Sequence, residues 1–345
     1  MRKAFAFRFF FDLIMDDFLT LSYTDIGVLP HSDVDEALSF IENKFFHIPF
    51  LPQLPNVNKF ENLLLQCIEN LVGLKRSSNK IFVDKSFALS SMQSENVNDY
   101  EINYCCALRK FLSMLESQKP MFAKFQIIGP FSFSMTIKDE NNQFIFFDKD
   151  LRDVVVNHLT MKARWFAKQI FSKGVRPIVF INEPSLSMLG RFSDINDKTV
   201  KNMLKQIVLN LKSSNIVTGI HCDTRYDWDM VLDIQPDIIS FDAFTYAKEF
   251  SESYRNISKF IDNGGFIAWG LVPAFSEDIL SRITVDTLYL GYYMAVNYLE
   301  LKGVPKKKII KSSMITTSCG MDNLSVELSK RAMILTRELA EKLKE

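Results

Sequence analysis

The sequence lacks an excess of charge of either sign. It contains 41 Lys and Arg residues and 41 Asp and Glu residues among 345, so its formal net charge is zero. A protein that binds nucleic acid or an anionic membrane usually carries a basic patch, because its partner is a polyanion. The one compact basic run, residues 306–308, is typical of a solvated turn. We therefore expect neither nucleic acid nor a membrane as a partner.

Cysteines and long apolar runs are also scarce. Five cysteines, an odd number spread along the chain, argue against the disulfide framework of a secreted protein. No segment approaches the roughly 20 apolar residues that cross a membrane. The N-terminal sequence MRKAFAFRFFFDLIMDD resembles a signal peptide only briefly, because Arg8 and Asp12 interrupt it and no small-residue cleavage site follows. We expect a cytoplasmic protein.

What the sequence does contain is an alternation of short apolar runs with longer amphipathic stretches. This pattern indicates parallel β/α units, and eight apolar runs are the number that a (β/α)8 TIM barrel requires. The predicted strands cover residues 20–27, 48–52, 122–128, 177–181, 216–221, 237–241, 265–269 and 311–316. The predicted helices cover residues 33–46, 59–74, 99–117, 150–173, 197–213, 276–301 and 323–344.

The remaining segments give no sign of a second domain. Residues 75–98 and 138–148 are polar and are predicted to be loops. No linker rich in Gly, Ser or Pro interrupts the chain. We therefore expect one α/β domain over residues 1–345, in which residues 1–20 form an N-terminal extension.

A short motif rich in Gly, Pro or polar residues follows each predicted strand. In a TIM barrel the loops after the carboxyl ends of the strands form the active site. One Gly or Pro at such a position is ordinary turn chemistry, but eight motifs at the same end indicate a functional face. In chain order they read DIGVLPH (25–31), PQLP (52–55), IIGPF (127–131), FINEP (180–184), GIHCD (219–223), SFDAF (240–244), AWGLVP (268–273) and TTSCG (316–320).

Several potential metal ligands lie in these motifs. Zinc binds four ligands chosen from Cys, His, Asp and Glu. His221, Asp242 and Cys319, together with Cys222 or Asp223, can converge at this end of the barrel. Alternate residues of a strand share a face, so His221 and Asp223 can point inward together while Cys222 leans outward. The alternation does not decide which of the two is a ligand, and both cysteines could instead be small buried hydrophobes.

Taken in order, the eight motifs resemble the catalytic barrel of cobalamin-independent methionine synthase, in the superfamily shared with uroporphyrinogen decarboxylase. The resemblance extends from about residue 25 to the C-terminus. It implies a TIM barrel, a zinc cofactor, and zinc ligands at His221, Asp223, Asp242 and Cys319. Asp223 stands where the family has a second Cys, and Cys222 lies one position earlier.

The resemblance also implies substrate-binding roles for four residues. Gly27 and Val28 lie in the turn expected near the substrate carboxylate, where Val28 replaces a serine. Asn182 replaces the acid that contacts the substrate amino group, and Glu183 is retained but is expected to point the other way. These replacements are expected to reduce the affinity for an amino-acid substrate, and they affect the barrel fold less. Asp25, just before the turn, is either a site carboxylate or a turn cap.

The activity implied is a zinc-dependent transfer of a methyl group to a small thiol such as homocysteine. Zinc would hold the sulfur as thiolate, and an Asp in place of a Cys ligand should lower its nucleophilicity. The sequence resembles only the catalytic barrel of the synthase and not its folate-associated N-terminal half. We therefore expect the methyl donor to be a corrinoid-bound methyl group on a partner protein, or another donor. Two alternatives are a diverged, non-catalytic barrel that binds a small molecule and a uroporphyrinogen decarboxylase-like lyase. The lyase would need basic residues at the strand ends, where only Arg225 stands.

Overall fold

Seven parallel strands form one curled sheet in the computed structural model, which describes residues 17–42, 46–77, 80–91 and 102–345. The order of strands across the sheet is β1-β9-β8-β7-β6-β5-β4, and every neighbouring pair is parallel. A separate antiparallel hairpin joins β2 to β3. The strands are β1 Ser22–Tyr23, β2 Leu74–Ser77, β3 Lys80–Val83, β4 Phe122–Ile128, β5 Arg176–Asn182, β6 Val217–Cys222, β7 Ile238–Phe241, β8 Phe266–Val272 and β9 Ser313–Thr317.

Helices connect the strands and pack against the sheet. Side-chain caps fix the first turns of several of them, as where Asp148 accepts hydrogen bonds from the backbone N–H groups of Asp150 and Leu151. None of the helices in the described ranges is long and apolar enough to cross a membrane. The α-helices are Val34–Phe40, Leu63–Ile68, Lys85–Ser91, Leu108–Gln118, Pro130–Ser134, Lys149–Phe171, Asp197–Lys212, Trp228–Ile234, Ala243–Phe250, Tyr254–Asp262, Glu277–Arg282, Val285–Glu300, Lys306–Lys311 and Val326–Lys342.

The second predicted strand, residues 48–52, is not a regular strand: it forms one isolated bridge to β4, between Phe50 and Lys124, and a backbone hydrogen bond to β1. The N–H of Leu51 donates to the carbonyl of Lys124 on β4, and the N–H of Ile48 donates to the carbonyl of Tyr23 on β1. Pro49 and Pro52 have no N–H to donate, which interrupts the ladder on either side of these bonds. In the described part of the chain, the sheet is therefore not closed into a barrel by a continuous ladder.

Several other boundaries differ from the sequence prediction. Residues 75–98, predicted to be a loop, contain most of the β2–β3 hairpin and the helix Lys85–Ser91. The predicted helix 276–301 is two helices, because Thr284 caps the second one by accepting from the N–H of Thr287. The predicted helix 99–117 begins at Leu108 among the described residues. Residues 1–16, most of the predicted N-terminal extension, lie outside the described ranges.

The inner side of the curled sheet has its own small apolar cluster. It is separate from the larger core between sheet and helices, and it includes Ile178, Phe180, Val217 and Ile238. Gly219 of β6 makes room for the Phe180 ring, because a Cβ at this glycine would lie 2.6 Å from Phe180 Cδ1. The space inside the sheet is thus already filled at this level, which is the packed interior expected of a barrel-like fold.

We expect Gly219→Ala to destabilise the fold by about 1–3 kcal/mol, because the added methyl group overpacks a filled interior. Gly291→Ala is the matched control, since Gly291 lies inside the helix Val285–Glu300 and its added Cβ meets nothing within 4 Å. That change should stabilise the helix by about 0.5–1 kcal/mol. Urea unfolding of both variants measures the two effects. Equal effects of the two changes would contradict the packing described for Phe180.

Candidate functional site

A cavity of about 160 Å³ opens at the carboxyl ends of the strands. Of the residues predicted for the site, Val28, Asn182, His221, Cys222 and Asp223 line it. The rest of the lining consists of Ile26, Leu63, Ile128, Pro184, Gly320 and Asp322. The ends of β5 and β6 and the turns after β1 and β9 thus meet at one place, as expected for parallel strands with a shared carboxyl edge.

His221 is a buried, neutral imidazole at the end of β6. Its Nδ1 lies 2.9 Å from the hydroxyl of Ser240 on the adjacent strand, and this contact fixes the orientation of the ring. Burial lowers the pKa of His221 to about 4, although the carboxylate of Asp223 opposes the shift. A neutral imidazole oriented by a neighbouring group is the form that binds metal ions, and Nε2 would be the nitrogen that does so here.

The two predicted cysteines differ in their surroundings. Cys222 is 1% exposed, and its Sγ lies 3.3 Å from the hydroxyl of Thr224. Cys319 is only partly buried, at the turn after β9. Burial raises the pKa of each thiol to about 12. Asp223 and Asp242 also raise the pKa of Cys319, which places this thiol within electrostatic range of both carboxylates.

Asp242 follows β7 and caps the helix Ala243–Phe250. One of its carboxylate oxygens, Oδ1, accepts a hydrogen bond of 3.0 Å from the N–H of Thr245. Burial raises the pKa of Asp242 to about 6, and the charge of Asp223 adds to the shift. A cap alone explains an Asp at this position, so the residue has a structural role whether or not it binds a metal.

His221, Asp223, Asp242 and Cys319 are grouped at one end of the sheet. The charge of Asp223 acts on the pKa of each of the other three residues, so all four lie in the same region of the molecule. The donor types suit zinc. However, no three His, Cys, Asp or Glu side chains of the described residues are close enough together to hold a metal ion. A zinc site would therefore require these side chains to rotate toward one another.

The four residues predicted to bind substrate lie at different distances from the cavity. Val28 and Asn182 line the cavity, whereas the carboxylate of Glu183 accepts from the N–H groups of Phe131 and Ser132 and from the Ser132 hydroxyl. Glu183 thus holds the start of the helix Pro130–Ser134. Gly27 has a φ of +118°, and an added Cβ there would lie 2.0 Å from Gln126 Oε1.

Asp25 caps the turn that carries Gly27 and Val28. Its Oδ1 accepts from the N–H of Gly27 at 2.8 Å, and its Oδ2 accepts from the hydroxyl of Thr317 at 2.9 Å. Burial raises its pKa to about 6, while the positive charge of Lys124 opposes the shift. Lys124 is a further residue that the sequence analysis missed. A lysine in the apolar strand FAKFQII was the signal that could have identified it.

This chain matches known proteins by structure and not by sequence. No protein-family model and no curated protein matches the sequence. A methyltransferase from Methanosarcina mazei matches with a TM-score of 0.55 and 12% identity, over 93% of this chain and 92% of that protein. A B12-independent methionine synthase from Shewanella sp. W3-18-1 matches with a TM-score of 0.50 and 16% identity. This second match covers 69% of this chain and 66% of the synthase. At these identities the matches show a shared fold.

The buried carboxyl group of Glu183 predicts a pH-dependent stability. Burial raises its pKa from 4.5 to about 7, so between these values the folded chain retains a proton that the unfolded chain has lost. The contribution of this proton is complete below pH 4.5 and is lost as the pH rises through 7. We compare the free energies of unfolding of the natural protein and of Glu183→Gln. The difference between them should fall by roughly 2 kcal/mol, to the disadvantage of the natural protein, between pH 5 and pH 8.

Urea unfolding at the two pH values measures this difference. Glu249→Gln, at an exposed position, is the control for the loss of one carboxylate. An advantage over Glu183→Gln that is the same at both pH values would show that Glu183 is ionised throughout the range.

Proposed function

We propose that this chain is a methyltransferase whose acceptor is the sulfur of a small thiol bound in the 160 Å³ cavity. The observation that carries the proposal is that His221 and Asp223 line this cavity and that the charge of Asp223 acts on His221, Asp242 and Cys319. The two structural neighbours are a methyltransferase and a methionine synthase, which supports the same reaction class. We also propose that the sheet and residues 48–53 form an irregular (β/α)8 barrel.

His221, Asp242 and Cys319 are the residues that would hold a zinc ion, with Asp223 as the fourth ligand. His221 is already neutral, so it needs to lose no proton before it binds a metal. The environment of Cys222 is less suitable, because its Sγ is directed at Thr224. A bound zinc would supply one function, which is to hold the acceptor sulfur as a thiolate at neutral pH.

At the methyl carbon the reaction forms one bond and breaks one, and the S–H bond of the acceptor also breaks. The sulfur of the acceptor bonds to the methyl carbon, the bond between methyl and donor breaks, and its electron pair stays with the donor. The thiol proton leaves to solvent. A cavity of about 160 Å³ accommodates a small thiol but not a corrinoid, so the donor would have to approach from outside. A methylated corrinoid on a partner protein fits this requirement, as does another methyl donor that reaches the mouth.

A second candidate function is small-molecule binding without catalysis. Two observations favour it: no three potential ligands are already assembled among the described residues, and the thiol of Cys222 faces Thr224. The lyase alternative has less support. The residues that line the cavity include no Lys or Arg to bind substrate carboxylates.

Zinc analysis of the purified protein tests the leading proposal. We expect about one zinc ion per chain and a loss of zinc affinity of at least tenfold in Cys319→Ser, because a thiolate ligand is replaced by a hydroxyl. Cys106→Ser is the matched control, since Cys106 is an exposed thiol with no place in the candidate site. This control should bind zinc like the natural protein.

Two results would contradict the zinc site. One is a protein that binds no zinc even when zinc is supplied during purification. The other is equal zinc binding by Cys319→Ser and the natural protein. If zinc is absent but a small thiol still binds, the non-catalytic alternative is favoured.

A further inference from the structure

Two acids line the cavity at the carboxyl ends of the strands. Asp223 follows β6, and Asp322 follows the turn after β9. The carboxylate of Asp322 lies beside this turn, because a Cβ added to Gly320 would be 3.6 Å from Asp322 Oδ1. No Lys or Arg stands among the described residues that line the cavity. The lining therefore carries an excess of negative charge, which favours a positively charged ligand.

The sign of this charge does not depend on the other groups at the cavity. His221 contributes one imidazole to the lining, and two carboxylates outnumber it even when it is protonated. Zinc bound to the proposed ligands would not reverse the sign, since two carboxylates and one thiolate carry more charge than the ion. The amine of Lys124 is not part of the lining, and the opposite charge of Asp25 acts on it.

The side chain of Asn182 adds an unsatisfied acceptor to the same wall. Asn182 is the last residue of β5, lines the cavity and is 7% exposed. Its Oδ1 has no hydrogen-bond partner within the part of the chain that the structure describes. Buried polar groups are nearly always hydrogen-bonded, so a donor on the ligand is expected here. A hydroxyl and an ammonium group can both donate, and the charge of the two acids favours the ammonium group.

We infer that the cavity selects an aminothiol, which is a small thiol with an ammonium group and no carboxylate. This inference rests on the proposed thiol site. The ammonium group would donate to Asn182 Oδ1 and would be attracted by Asp223 and Asp322. A carboxylate has only acceptors, so it would leave Oδ1 unpaired and would meet like charges without a basic partner. The cavity would thus discriminate against amino acids, although they carry the same ammonium group.

Three thiols with the same two-carbon spacer test this selection. 2-Aminoethanethiol is the reference, 2-mercaptoethanol has a hydroxyl in place of the ammonium group, and L-cysteine adds a carboxylate. Isothermal titration calorimetry at low ionic strength, on the protein as purified, gives the three dissociation constants. We expect 2-aminoethanethiol to bind about tenfold more tightly than each of the other two, because it alone combines a charged donor with the absence of an anion.

Variants of the lining separate the effect of the cavity from the acidity and size of each probe, which no substitution alters. Asp322→Lys should weaken binding of 2-aminoethanethiol and strengthen that of L-cysteine, so that the ratio of their dissociation constants changes about tenfold. Asn182→Leu should weaken binding of 2-aminoethanethiol about tenfold, because it removes the acceptor. Glu300→Lys makes a matched change of charge at the exposed end of the helix Val285–Glu300 and should leave the ratio unchanged.

The possible results distinguish this inference from the proposed function. Equal or tighter binding of L-cysteine or 2-mercaptoethanol by the natural protein would overturn the inference and leave the thiol site standing. The same holds for a ratio that is unchanged in Asp322→Lys, because the charge of the lining would then not be the selecting feature. Binding of none of the three probes would overturn both the inference and the thiol site.

Discussion

The buried amine of Lys124 is the group on which the arrangement of the cavity depends. Its Nζ donates to the carbonyl of Ile26 at 2.8 Å and to Gln126 Oε1 at 2.9 Å, and it lies 4.7 Å from the centre of the Phe180 ring. Removing an ammonium group from water is unfavourable unless hydrogen bonds and an opposite charge replace the water. Here the burial lowers its pKa to about 7, and the negative charge of Asp25 counteracts the shift. The turn after β1 supplies one of the acceptors of this buried amine, the carbonyl of Ile26.

From Lys124 the polar contacts spread to the elements around it. Gln126 donates to Gln53, and Gln53 donates to Gln66, so a chain of amides holds the irregular segment 48–53 against β4. These side-chain bonds act where the proline residues interrupt the backbone ladder. On the other side, Asp25 joins the N–H of Gly27 to the hydroxyl of Thr317 and so ties β1 to β9. The turns that carry Val28 and Cys319 are therefore held by the same buried network.

This network explains which parts of the fold the sequence could predict. The apolar runs of β4 to β9 are buried over their whole length except at Arg176, the first residue of β5, so hydrophobicity alone located them within a few residues. The segment 48–52 was predicted as a strand from the same signal, but Pro49 and Pro52 prevent a regular ladder. The hairpin β2–β3 was missed because its strands LKRS and KIFV are short and half of their residues are polar. Lys124 stood out as a lysine within an apolar run, but the sequence could not show what holds it, since the Ile26 carbonyl and Asp25 are distant in sequence.

Some features of the candidate site follow from the positions of the strands, and others depend on the direction of individual side chains. His221, Asp242 and Cys319 could be assigned to one end of the sheet from the sequence, because each lies at the carboxyl end of a predicted strand and these ends share one edge. The choice between Cys222 and Asp223 depends instead on side-chain direction after β6. There Asp223 acts electrostatically on His221, Asp242 and Cys319, while the thiol of Cys222 lies against Thr224. A carboxylate ligand would leave less electron density on a bound metal than a thiolate would. The acceptor sulfur would then be held more tightly and react more slowly, so this chain would suit a more reactive methyl donor or a more acidic thiol than a site with two cysteines.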